Sequence, residues 1–390
     1  MLPNDKRKIC VVITARPSYA RVKTALEAIR AHPGLELQLV VAASALLDRY
    51  GNAFRYIEAD GFEINARVFN VLEGENLTAQ AKTTGLGILE LSSVFENLKP
   101  DAVLTIADRF ETMATAISAS YLNIPLVHLQ GGEVTGNIDE KVRHAITKLS
   151  DLHLVASQDA YDRVVRMGED QDYVIITGCP SLDLAAMIAS EGPELRNFNP
   201  VKKYGGVGAR EISLDHFIVV LQHPETTQYG GARTQVEKTL EAVHQLEIPC
   251  LWFWPNVDAG SDGTSKGIRA FREKHSDTNI HFFKNMEPED FLRLLMKCDC
   301  LVGNSSVGIR ECSYLGIPVV NIGDRQKGRV RGKNVMDVPH DTEQIHQAIL
   351  KQKNSGRYAP EFIYGRGDAG IRIADALYRC NLRFDKQICY

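Results

Sequence analysis

The sequence predicts an α/β protein of two domains, each built around an open parallel β-sheet, and three observations lead to this prediction. Short apolar runs rich in β-branched residues alternate with amphipathic stretches, which is typical of parallel strands buried on both faces and joined by helices. The alternation is interrupted once, near the middle of the chain, and then resumes. The 390 residues, 44% of them hydrophobic, are too many for one ordinary core and suit two.

The first series of apolar runs predicts the strands of the N-terminal domain. The predicted strands are Ile9–Thr14, Leu37–Ala43, Ala102–Ile106, Pro125–Leu129, Leu152–Ala156 and Val174–Thr177. After the first strand, apolar residues recur at helical spacing, which predicts a helix over Tyr19–His32. The same alternation of strand and helix after the later runs predicts a parallel sheet covered by helices.

A second series of apolar runs predicts the C-terminal domain. Its predicted strands are Phe217–Leu221, Pro249–Trp254, Ile280–Phe283, Cys300–Gly303 and Pro318–Ile322. Between the two series, residues 190–213 are rich in glycine, proline and charge, which indicates an interdomain crossing. The predicted division is therefore an N-terminal domain (1–189), the crossing (190–213), a C-terminal domain (214–368) and a terminal segment (369–390), whose helix is expected to pack back on the first domain.

Charge and composition exclude several classes of function. The formal net charge of −4 gives no general attraction to nucleic acid or anionic lipid, so a phosphate site would have to be local. The sequence contains no apolar stretch of signal-peptide or membrane-spanning length, which predicts a cytoplasmic protein without a membrane partner. Eight cysteines lie scattered along the chain, several of them inside predicted strands, as buried thiols do in a reducing compartment.

Two familiar cofactor patterns are missing from the sequence. Cys298 and Cys300 form a C-x-C pair, but no second pair or histidine lies at the spacing of a zinc site. The first predicted strand is not followed by the G-x-G-x-x-G pattern of a dinucleotide site. We therefore expect neither a metal nor a cofactor such as NAD.

Polar clusters follow the predicted strands, where open parallel sheets bind their ligands. The first cluster contains Thr14, Arg16 and Ser18, with Pro17 in the first turn of the next helix. Free backbone N–H groups at a helix N-terminus, with an arginine beside them, favour an anion such as phosphate. A capped helix with a solvated Arg16 is the alternative.

Carboxylates follow two later strands of the N-terminal domain. Asp108 and Arg109 come directly after the third strand, where open α/β sheets keep catalytic groups. Asp108 could instead be a helix N-cap that pairs with Glu111 in a capping box. After the fourth strand, two glycines permit a tight turn and lead to Glu133 and Asp139, which we expect to face a common space.

The strand ends of the C-terminal domain are rich in hydroxyls, glycines and amides. The residues in question are His223, Asn256, Asp258, Ser261, Gly303, Asn304, Ser305 and Ser306. Glycines and hydroxyls at a helix N-terminus suit a diphosphate, because the backbone can approach closely and its N–H groups point outward. Glu311 is expected one turn into the helix that starts at these serines, where it suits the hydroxyls of a ribose. An N-capped helix would explain one serine but not the whole array.

A basic loop follows the last predicted strand. Its cations are Arg325, Lys327, Arg329, Arg331 and Lys333. In an acidic protein with a candidate diphosphate cradle, we interpret Arg325 as facing phosphate. A solvated basic loop is the alternative.

Taken together, these clusters resemble the hydrolysing UDP-N-acetylglucosamine 2-epimerases. The motifs that carry the resemblance are ARPSYAR, ADRFET, GGEVTGNIDEKVRHAITK, TGCPSLD, QHPETT, PNVDAGS, GNSSVGIRE and GDRQKGR, in order from about residue 8 to about residue 370. The resemblance implies two Rossmann-like domains in the glycosyltransferase-B arrangement, with the active site in the cleft between them. It also implies a UDP-sugar substrate, UDP as product and a homodimer or homotetramer.

Residue by residue, the resemblance implies both nucleotide contacts and catalytic groups. Contacts with UDP are implied for Arg16, Ser18, Arg109, His223, Asn256, Ser305, Ser306, Glu311 and Arg325. Asp108 and Asp139 are implied as the carboxylates that transfer protons, assisted by His223 or Glu133. Several members of the family have a glutamate where this chain has Gln130, so Gln130 is expected at the substrate and marks a departure from the family pattern.

The reaction itself constrains the site. Inverting C2 by proton exchange requires removal of a proton from one face of the sugar and delivery to the other, hence two acid-base groups. The resemblance implies loss of UDP, a 2-acetamidoglucal intermediate and addition of water, as in nonulosonic (sialic-type) acid synthesis. The run HPETT stands where non-hydrolysing relatives have an H-R-R-E-N-like run, which favours hydrolysis. A diacetamido-trideoxy substrate, a glycosyltransferase activity and a non-catalytic sugar-nucleotide sensor stay open as alternatives.

Overall fold

The computed structural model describes residues 6–48, 52–72, 77–106, 109–134, 138–193, 198–208, 212–225, 230–255, 260–275 and 278–389, apart from the side chains of Leu77, Ile138 and Asp139. The chain divides into two compact units. Unit 1 takes in the chain up to Glu133, the stretch from Ile138 to Asp183, and the chain from Tyr364 onward. Unit 2 takes in Leu184–Ile363 and, with it, Val134.

Unit 1 is built on a parallel sheet. Its strands are β1 (Arg7–Ile13), β2 (Leu35–Ala42), β3 (Ala66–Val68), β4 (Ala102–Ile106), β5 (Leu126–Leu129), β6 (Leu152–Val155) and β7 (Val174–Ile176). Over the described residues they lie in the order β3-β2-β1-β4-β5-β6-β7, and every pairing is parallel. The order reverses between β1 and β4, and such a reversal is where doubly wound sheets bind ligands.

Helices connect and cover these strands. They are α1 (Arg16–Ala31), α2 (Ala53–Ala59), α3 (Leu77–Leu98), α4 (Thr112–Tyr121), α5 (Ile138–Leu149), α6 (Gln158–Arg166), α7 (Ser181–Ser190, passing from unit 1 into unit 2) and, near the end of the chain, α15 (Ala369–Arg379). Short 3₁₀ turns span Ala43–Leu46 and Gln171–Tyr173. Helix α1 begins three residues before the predicted start, because Pro17 has the backbone angle that the first helical turn requires.

The core of unit 1 lies on both faces of the sheet. Along β1, Ile9 and Val11 pack in one cluster with side chains of α1 and α15, whereas Cys10 and Val12 pack in another with side chains of α3 and α4. Successive side chains of a strand point to opposite faces, so a strand covered on both sides is apolar throughout. This is the physical origin of the continuous apolar runs in the sequence.

The chain returns to unit 1 through α15, which packs against α1. The carboxylate of Asp183 accepts the backbone N–H groups of Ala369 and Gly370 at 2.8 and 2.7 Å and the hydroxyl of Thr24 at 2.9 Å. A Cβ on Gly370 would lie 2.6 Å from the Thr24 carbonyl oxygen, so the two helices approach through backbone. The aspartate of the motif TGCPSLD therefore anchors the returning helix.

Unit 2 has a second sheet of the same kind. Its strands are β8 (Val207–Gly208), β9 (Ile218–Leu221), β10 (Cys250–Phe253), β11 (Ile280–Phe283), β12 (Cys300–Gly303), β13 (Val319–Ile322) and β14 (Val335–Val338). Its helices are α8 (Pro200–Tyr204), α9 (Ala232–Gln245), α10 (Ser261–Lys274), α11 (Pro288–Leu295), α12 (Ser306–Ile309), α13 (Glu311–Leu315) and α14 (Thr342–Ser355). Within the described ranges the order is β14-β13-β12-β9-β10-β11-β8, parallel except that β8 pairs antiparallel with β11.

The predicted fold class, α/β with two parallel-rich sheets, is confirmed. Each predicted strand has a counterpart in the structure, with ends that shift by at most two residues. The strands that the sequence analysis missed, β3, β8 and β14, are edge strands, and apart from the buried Val68 their residues are exposed or half-exposed, so they lack the apolar run of a central strand. Two missed elements, α8 and β8, lie inside the 190–213 segment that was predicted only as a crossing.

The helices that the structure describes include none long and apolar enough to cross a membrane.

Candidate active site

The carboxyl end of β1 leads directly into α1. Arg16 is the first residue of that helix, and its guanidinium lies over the ring of Tyr56, 4.6 Å from the ring centre, in a cation–π contact. Ser18 is buried in the first turn. Ala15 stands at the N-cap and makes no side-chain hydrogen bond, so the side-chain cap in the alternative of a capped helix with a solvated Arg16 is not present at this turn.

Arg109 is the first described residue after β4, and it is held in place by Glu111. The Nε and Nη2 atoms of Arg109 donate to the two carboxylate oxygens of Glu111, each at 3.2 Å. Glu111 is buried, whereas about a third of the Arg109 side chain is exposed. A two-point contact of this kind fixes the plane of the guanidinium. Asp108, which was predicted beside it, lies outside the described residues.

Gln130 follows β5 in a left-handed backbone conformation, with φ of 63°. Its side chain is 1% exposed, and both ends of the amide are bonded within unit 1. Oε1 accepts from Arg21 at 3.3 Å, and Nε2 donates to the Cys179 sulfur at 2.9 Å. The Cys179 sulfur in turn lies 3.0 Å from the Ser181 hydroxyl. Gln130 thus links the chain after β5 to α1 and to the loop after β7.

Glu133 is buried at the end of the same loop. Its carbonyl oxygen accepts from the guanidinium of Arg143 at 2.8 Å, and Arg143 is a cation of α5 that is only 1% exposed. Arg143 also lies 3.7 Å from the carboxylate of Glu140, so this buried cation is paired within α5. Asp139 belongs to α5, but its side chain lies outside the described residues, so the common space predicted for Glu133 and Asp139 stays a prediction.

In unit 2, the loops after β9 and β12 are joined by Asn304. The Asn304 Oδ1 atom accepts the backbone N–H of His223 at 2.7 Å, and its Nδ2 donates to the His223 carbonyl at 2.9 Å. Both residues are buried. The side-chain amide therefore bonds to both the N–H and the carbonyl of His223, as a paired strand would, and fixes the backbone position of His223.

The loop after β13 is joined to the same asparagine through its backbone. The carbonyl oxygen of Asn304 accepts from the guanidinium of Arg325 at 3.1 Å and from the amide of Gln326 at 2.9 Å. Ser305 is the N-cap of α12, and its hydroxyl accepts from the N–H of Val307 at 3.4 Å. Ser306 and Arg325 are thus brought to the same edge of the sheet by the ends of β12 and β13.

Glu311 occupies a different position from the one predicted. The helix that starts at Ser306 ends at Ile309, and Glu311 begins the separate helix α13 after an interruption at Arg310. Its side chain is 9% exposed. The prediction of one helix running from the serines past Glu311 is therefore wrong, although Glu311 still follows the serine turn in a short helical stretch.

Glu225 gives the site a buried carboxylate. Its Oε1 accepts the backbone N–H of Asp324 at 2.8 Å and lies 3.0 Å from Nε2 of His340. Burial raises the pKa of the Glu225 carboxyl, but hydrogen bonds from His340 and from the backbone of Asp324 and Arg325 outweigh burial, so the pKa lies below its usual range. Glu225 is therefore charged at neutral pH.

The structure describes only some of the remaining predicted residues of unit 2. Asn256 and Asp258 lie outside the described residues, and Ser261 is the first residue of α10. In the basic loop, Arg331 pairs with Asp337, and Lys327 is largely exposed. Within the described ranges, His, Cys, Asp and Glu side chains form no group of three or more that could hold a metal.

Comparison with known proteins decides the family. A family model described as UDP-N-acetylglucosamine 2-epimerase matches residues 27–378. A UDP-N,N'-diacetylbacillosamine 2-epimerase (hydrolyzing) from Legionella pneumophila is 32% identical over 95% of this chain and 95% of its own. The chain belongs to the UDP-N-acetylglucosamine 2-epimerase family. A second member, the UDP-N-acetylglucosamine 2-epimerase of Neisseria meningitidis serogroup B, is 30% identical over 93% of this chain and 92% of its own.

Solved structures of this family share the fold. A Neisseria meningitidis UDP-GlcNAc 2-epimerase with bound UDP-GlcNAc matches 96% of this chain and 100% of its own, with a TM-score of 0.80 and 20% identity. A Methanocaldococcus jannaschii UDP-GlcNAc 2-epimerase in complex with UDP-GlcNAc and UDP matches 95% of this chain and 99% of its own, with a TM-score of 0.77 and 16% identity. The predicted glycosyltransferase-B fold class is thereby confirmed.

The structure adds residues to the candidate site that the sequence analysis did not single out. These are Arg21 and Cys179, the partners of Gln130, and Gln326 and His340, which bond to the loops of unit 2. Arg21 and Cys179 lie inside the quoted motifs ARPSYAR and TGCPSLD, so a signal was present. His340 follows β14, a strand that was not predicted, so no strand end drew attention to it.

Proposed function

We propose that this family member is a hydrolysing 2-epimerase, which converts UDP-N-acetylglucosamine or a closely related UDP-acetamido sugar and water into the free 2-epimer and UDP. The observation that carries the proposal is the convergence of His223, Asn304, Ser305 and Arg325 at one sheet edge of unit 2. Such a group of N–H donors, hydroxyl and guanidinium matches the charge and hydrogen-bonding needs of a nucleoside diphosphate.

The residues proposed to bind the nucleoside diphosphate also have a role in the chemistry. When the bond between C1 and the phosphate oxygen breaks, the electrons leave with UDP, and negative charge builds on the departing diphosphate. Arg325 and the Ser305–Ser306 turn of unit 2 would stabilise that charge. Arg109 and Arg16 are the corresponding cations at the strand ends of unit 1. The two hydrogen bonds from Arg109 to Glu111 fix the orientation of the Arg109 guanidinium.

Proton transfer is assigned to the carboxylates of unit 1. One of Asp108 and Asp139 removes the C2 proton while UDP leaves, which gives an unsaturated sugar with a double bond between C1 and C2. Water then adds its oxygen to C1, and a proton is delivered to C2 from the opposite face. The products are UDP and the 2-epimer, and the proton removed in the first half is balanced by the one supplied in the second. Glu133 and His223 are proposed to assist.

Hydrolysis is supported by the relatives and by one sequence run. The Legionella relative and a Campylobacter jejuni relative, 31% identical over 89% of this chain and 88% of its own, both carry the word hydrolyzing in their names. This chain also has HPETT where non-hydrolysing relatives have an H-R-R-E-N-like run. A polysialic acid biosynthesis protein of Escherichia coli, 32% identical over 88% of this chain and 85% of its own, supports a role in nonulosonic acid synthesis.

The choice between acetamido sugars is proposed to depend on the surroundings of Gln130. Arg21 and Cys179 bond to the two ends of its amide. A neutral amide leaves the charge of Arg21 in place, whereas a glutamate at this position would neutralise it. We therefore propose that Gln130 positions Arg21 beside the sugar and does not itself transfer a proton.

Identification of products tests the proposed function. The full-length protein is incubated with a panel of UDP- and GDP-linked acetamido and diacetamido sugars, and the products are identified by NMR and mass spectrometry. The expected products are free UDP and a free sugar inverted at C2. Return of an epimerised UDP-sugar would contradict hydrolysis, and transfer of the sugar to an acceptor without inversion at C2 would contradict the epimerase assignment.

A further inference from the structure

The site of unit 2 contains a carboxylate to which neither the sequence motifs nor the proposed chemistry gives a task. Glu225 lies directly beyond the His223 loop, and it is 4% exposed. A carboxylate next to a diphosphate site would weaken anion binding by repulsion unless its charge were satisfied within the protein. The partners of the buried Glu225 carboxylate should therefore explain why a negative charge stands at this position.

The described contacts of Glu225 run to the loop that carries Arg325 and to His340, which follows β14. Glu225 Oε1 accepts the backbone N–H of Asp324 at 2.8 Å, and the Arg325 backbone also hydrogen-bonds to this carboxylate. Nε2 of His340 lies 3.0 Å from the same oxygen. Consecutive backbone N–H groups around a carboxylate hold a loop more firmly than a single bond does, because each is assisted by the negative charge.

A glycine in the loop leaves space for the Glu225 carboxylate. At Gly323, φ is +75°, and a Cβ there would lie 2.0 Å from Glu225 Oε1 and 2.4 Å from His340 Nε2. Only glycine leaves room for the carboxylate to reach the N–H of Asp324, and only glycine adopts this backbone conformation without strain. The backbone of Arg325 is thus set by Glu225, while its side chain is set by the Asn304 carbonyl at 3.1 Å.

We propose that Glu225 is a positioning residue for the diphosphate of the substrate, which acts through the 323–326 loop to hold Arg325 at the phosphate. The proposal rests on the proposed function, since it takes UDP as the ligand. Glu225 does not touch the nucleotide in this account. The loop N–H groups and His340 satisfy the negative charge of Glu225. The loop in turn places the guanidinium of Arg325 at the phosphate.

A matched control exists in unit 1. Glu169 is also buried, and its Oε2 lies 3.0 Å from Nε2 of His153, the same distance as in the Glu225–His340 pair. Its other partners are Lys148 and Lys386, and Lys386 belongs to the C-terminal tail. Glu169→Gln therefore removes a buried charge of the same type in unit 1, outside the sequence of the loops that carry Asn304 and Arg325.

The experiment measures the affinity of the full-length protein for UDP and for UMP by titration calorimetry. The variants are Glu225→Gln, Glu225→Asp, Arg325→Ala, the double variant Glu225→Gln/Arg325→Ala, and Glu169→Gln as control. A positioning role predicts that Glu225→Gln weakens UDP binding about tenfold and lowers the preference for UDP over UMP. It also predicts that Glu225→Asp recovers part of the loss, that the double variant is no weaker than Arg325→Ala, and that Glu169→Gln binds UDP as the unaltered protein does.

Each of the following outcomes would overturn the proposal. Unchanged UDP affinity in Glu225→Gln would show that the carboxylate does not position the loop. Equal loss of UDP and UMP affinity, or an equal loss in Glu169→Gln, would show only a general effect of stability. If Glu225→Gln does not fold, unchanged affinity in Glu225→Asp decides against the proposal. Absence of UDP binding by the unaltered protein would instead contradict the proposed function, and this inference with it.

Discussion

The two units each contain a buried glutamate paired with a histidine, yet the two pairs serve different ends. In unit 1, Glu169 lies 3.0 Å from His153 and contacts Lys148 and Lys386 at 2.6 and 2.8 Å. In unit 2, Glu225 lies 3.0 Å from His340 and accepts the backbone N–H of Asp324. The first carboxylate is surrounded by cations, whereas the second is surrounded by the backbone of a loop at the strand ends.

The difference shows that the partners of a buried charge determine its role. The ammonium of Lys386 also donates to the carbonyl oxygens of Ser150 and Thr147, at 2.7 and 3.2 Å, so the Glu169 cluster ties the C-terminal tail to the end of α5. That cluster contributes to the fold of unit 1. The Glu225 pair orders a loop that carries a candidate ligand group, so it contributes to binding.

The largest expected effect is the loss of stability in Glu169→Gln. Removing this charge leaves the half-buried ammonium of Lys386 without the carboxylate with which it is paired, which costs about 3–5 kcal/mol of unfolding free energy. Chemical and thermal unfolding measure the loss. Glu237→Gln, which breaks the exposed pair between Arg233 and Glu237, is the control and is expected to change the free energy by less than about 1 kcal/mol. A similar small loss in Glu169→Gln would remove the distinction drawn between the two pairs.

The same cluster predicts the direction of the pH dependence. Burial raises the pKa of Glu169, but hydrogen bonds from His153, Lys148 and Lys386 outweigh it and bring the pKa to about 2, below the ordinary value of 4.5. A carboxylate whose pKa is lowered by folding stabilises the protein above its unfolded pKa and loses this effect as the pH falls through its folded pKa. Stability should therefore fall between about pH 4.5 and pH 2, and Glu169→Gln should flatten that fall.

A second and smaller effect is expected from Gly323→Ala. The new Cβ would lie 2.0 Å from Glu225 Oε1, so the loop or the carboxylate must move, at a cost of roughly 2–4 kcal/mol shared between stability and UDP affinity. Gly356→Ala is the matched control, because φ there is +66° and nothing lies within 4 Å of the added carbon. It is expected to cost about 1 kcal/mol of stability and no UDP affinity. Equal UDP affinities in the two variants would show that the Glu225 contact does not order the loop.

The smallest of these effects is expected from Arg325→Ala, which should leave the fold intact. Loss of a charge-assisted contact with phosphate should weaken product inhibition by UDP about 10- to 100-fold. Inhibition is measured from the rate of turnover at increasing UDP concentrations, with Lys327→Ala, a largely exposed cation of the same loop, as control. Unchanged inhibition in Arg325→Ala would place this arginine away from the diphosphate and would separate Glu225 from ligand binding.

The sequence predicted the central parts of both sheets because central strands are buried on both faces. Ala102–Ile106 and Ile280–Phe283 were predicted with their observed ends, since every residue of each strand is buried and all but Thr105 and His281 are apolar. Edge strands carry no such pattern. Strand β8 consists of Val207 and Gly208, both exposed, and only its pairing with β11 identifies it.

For the candidate site, the sequence predicted which residues lie at strand ends but not how they bond to one another. The hydrogen bonds between Asn304 and His223 join residues 81 positions apart, and the contact of Glu225 with His340 joins residues 115 positions apart. Pairings at such separations depend on the order of the strands, which composition and periodicity do not contain. The roles of all the predicted site residues stay predictions, and the side chains of Asp108, Asp139 and Asn256 also lie outside the described residues.

Turnover in D₂O tests the central claim most directly, with the acetamido sugar nucleotide that the panel identifies as the best substrate. Proton exchange at C2 predicts a free sugar of inverted C2 configuration that carries one deuterium at C2, released together with UDP. A product of inverted configuration without deuterium at C2, or a released sugar that retains its configuration, would contradict the assignment of acid-base groups in unit 1 and the reaction built on them.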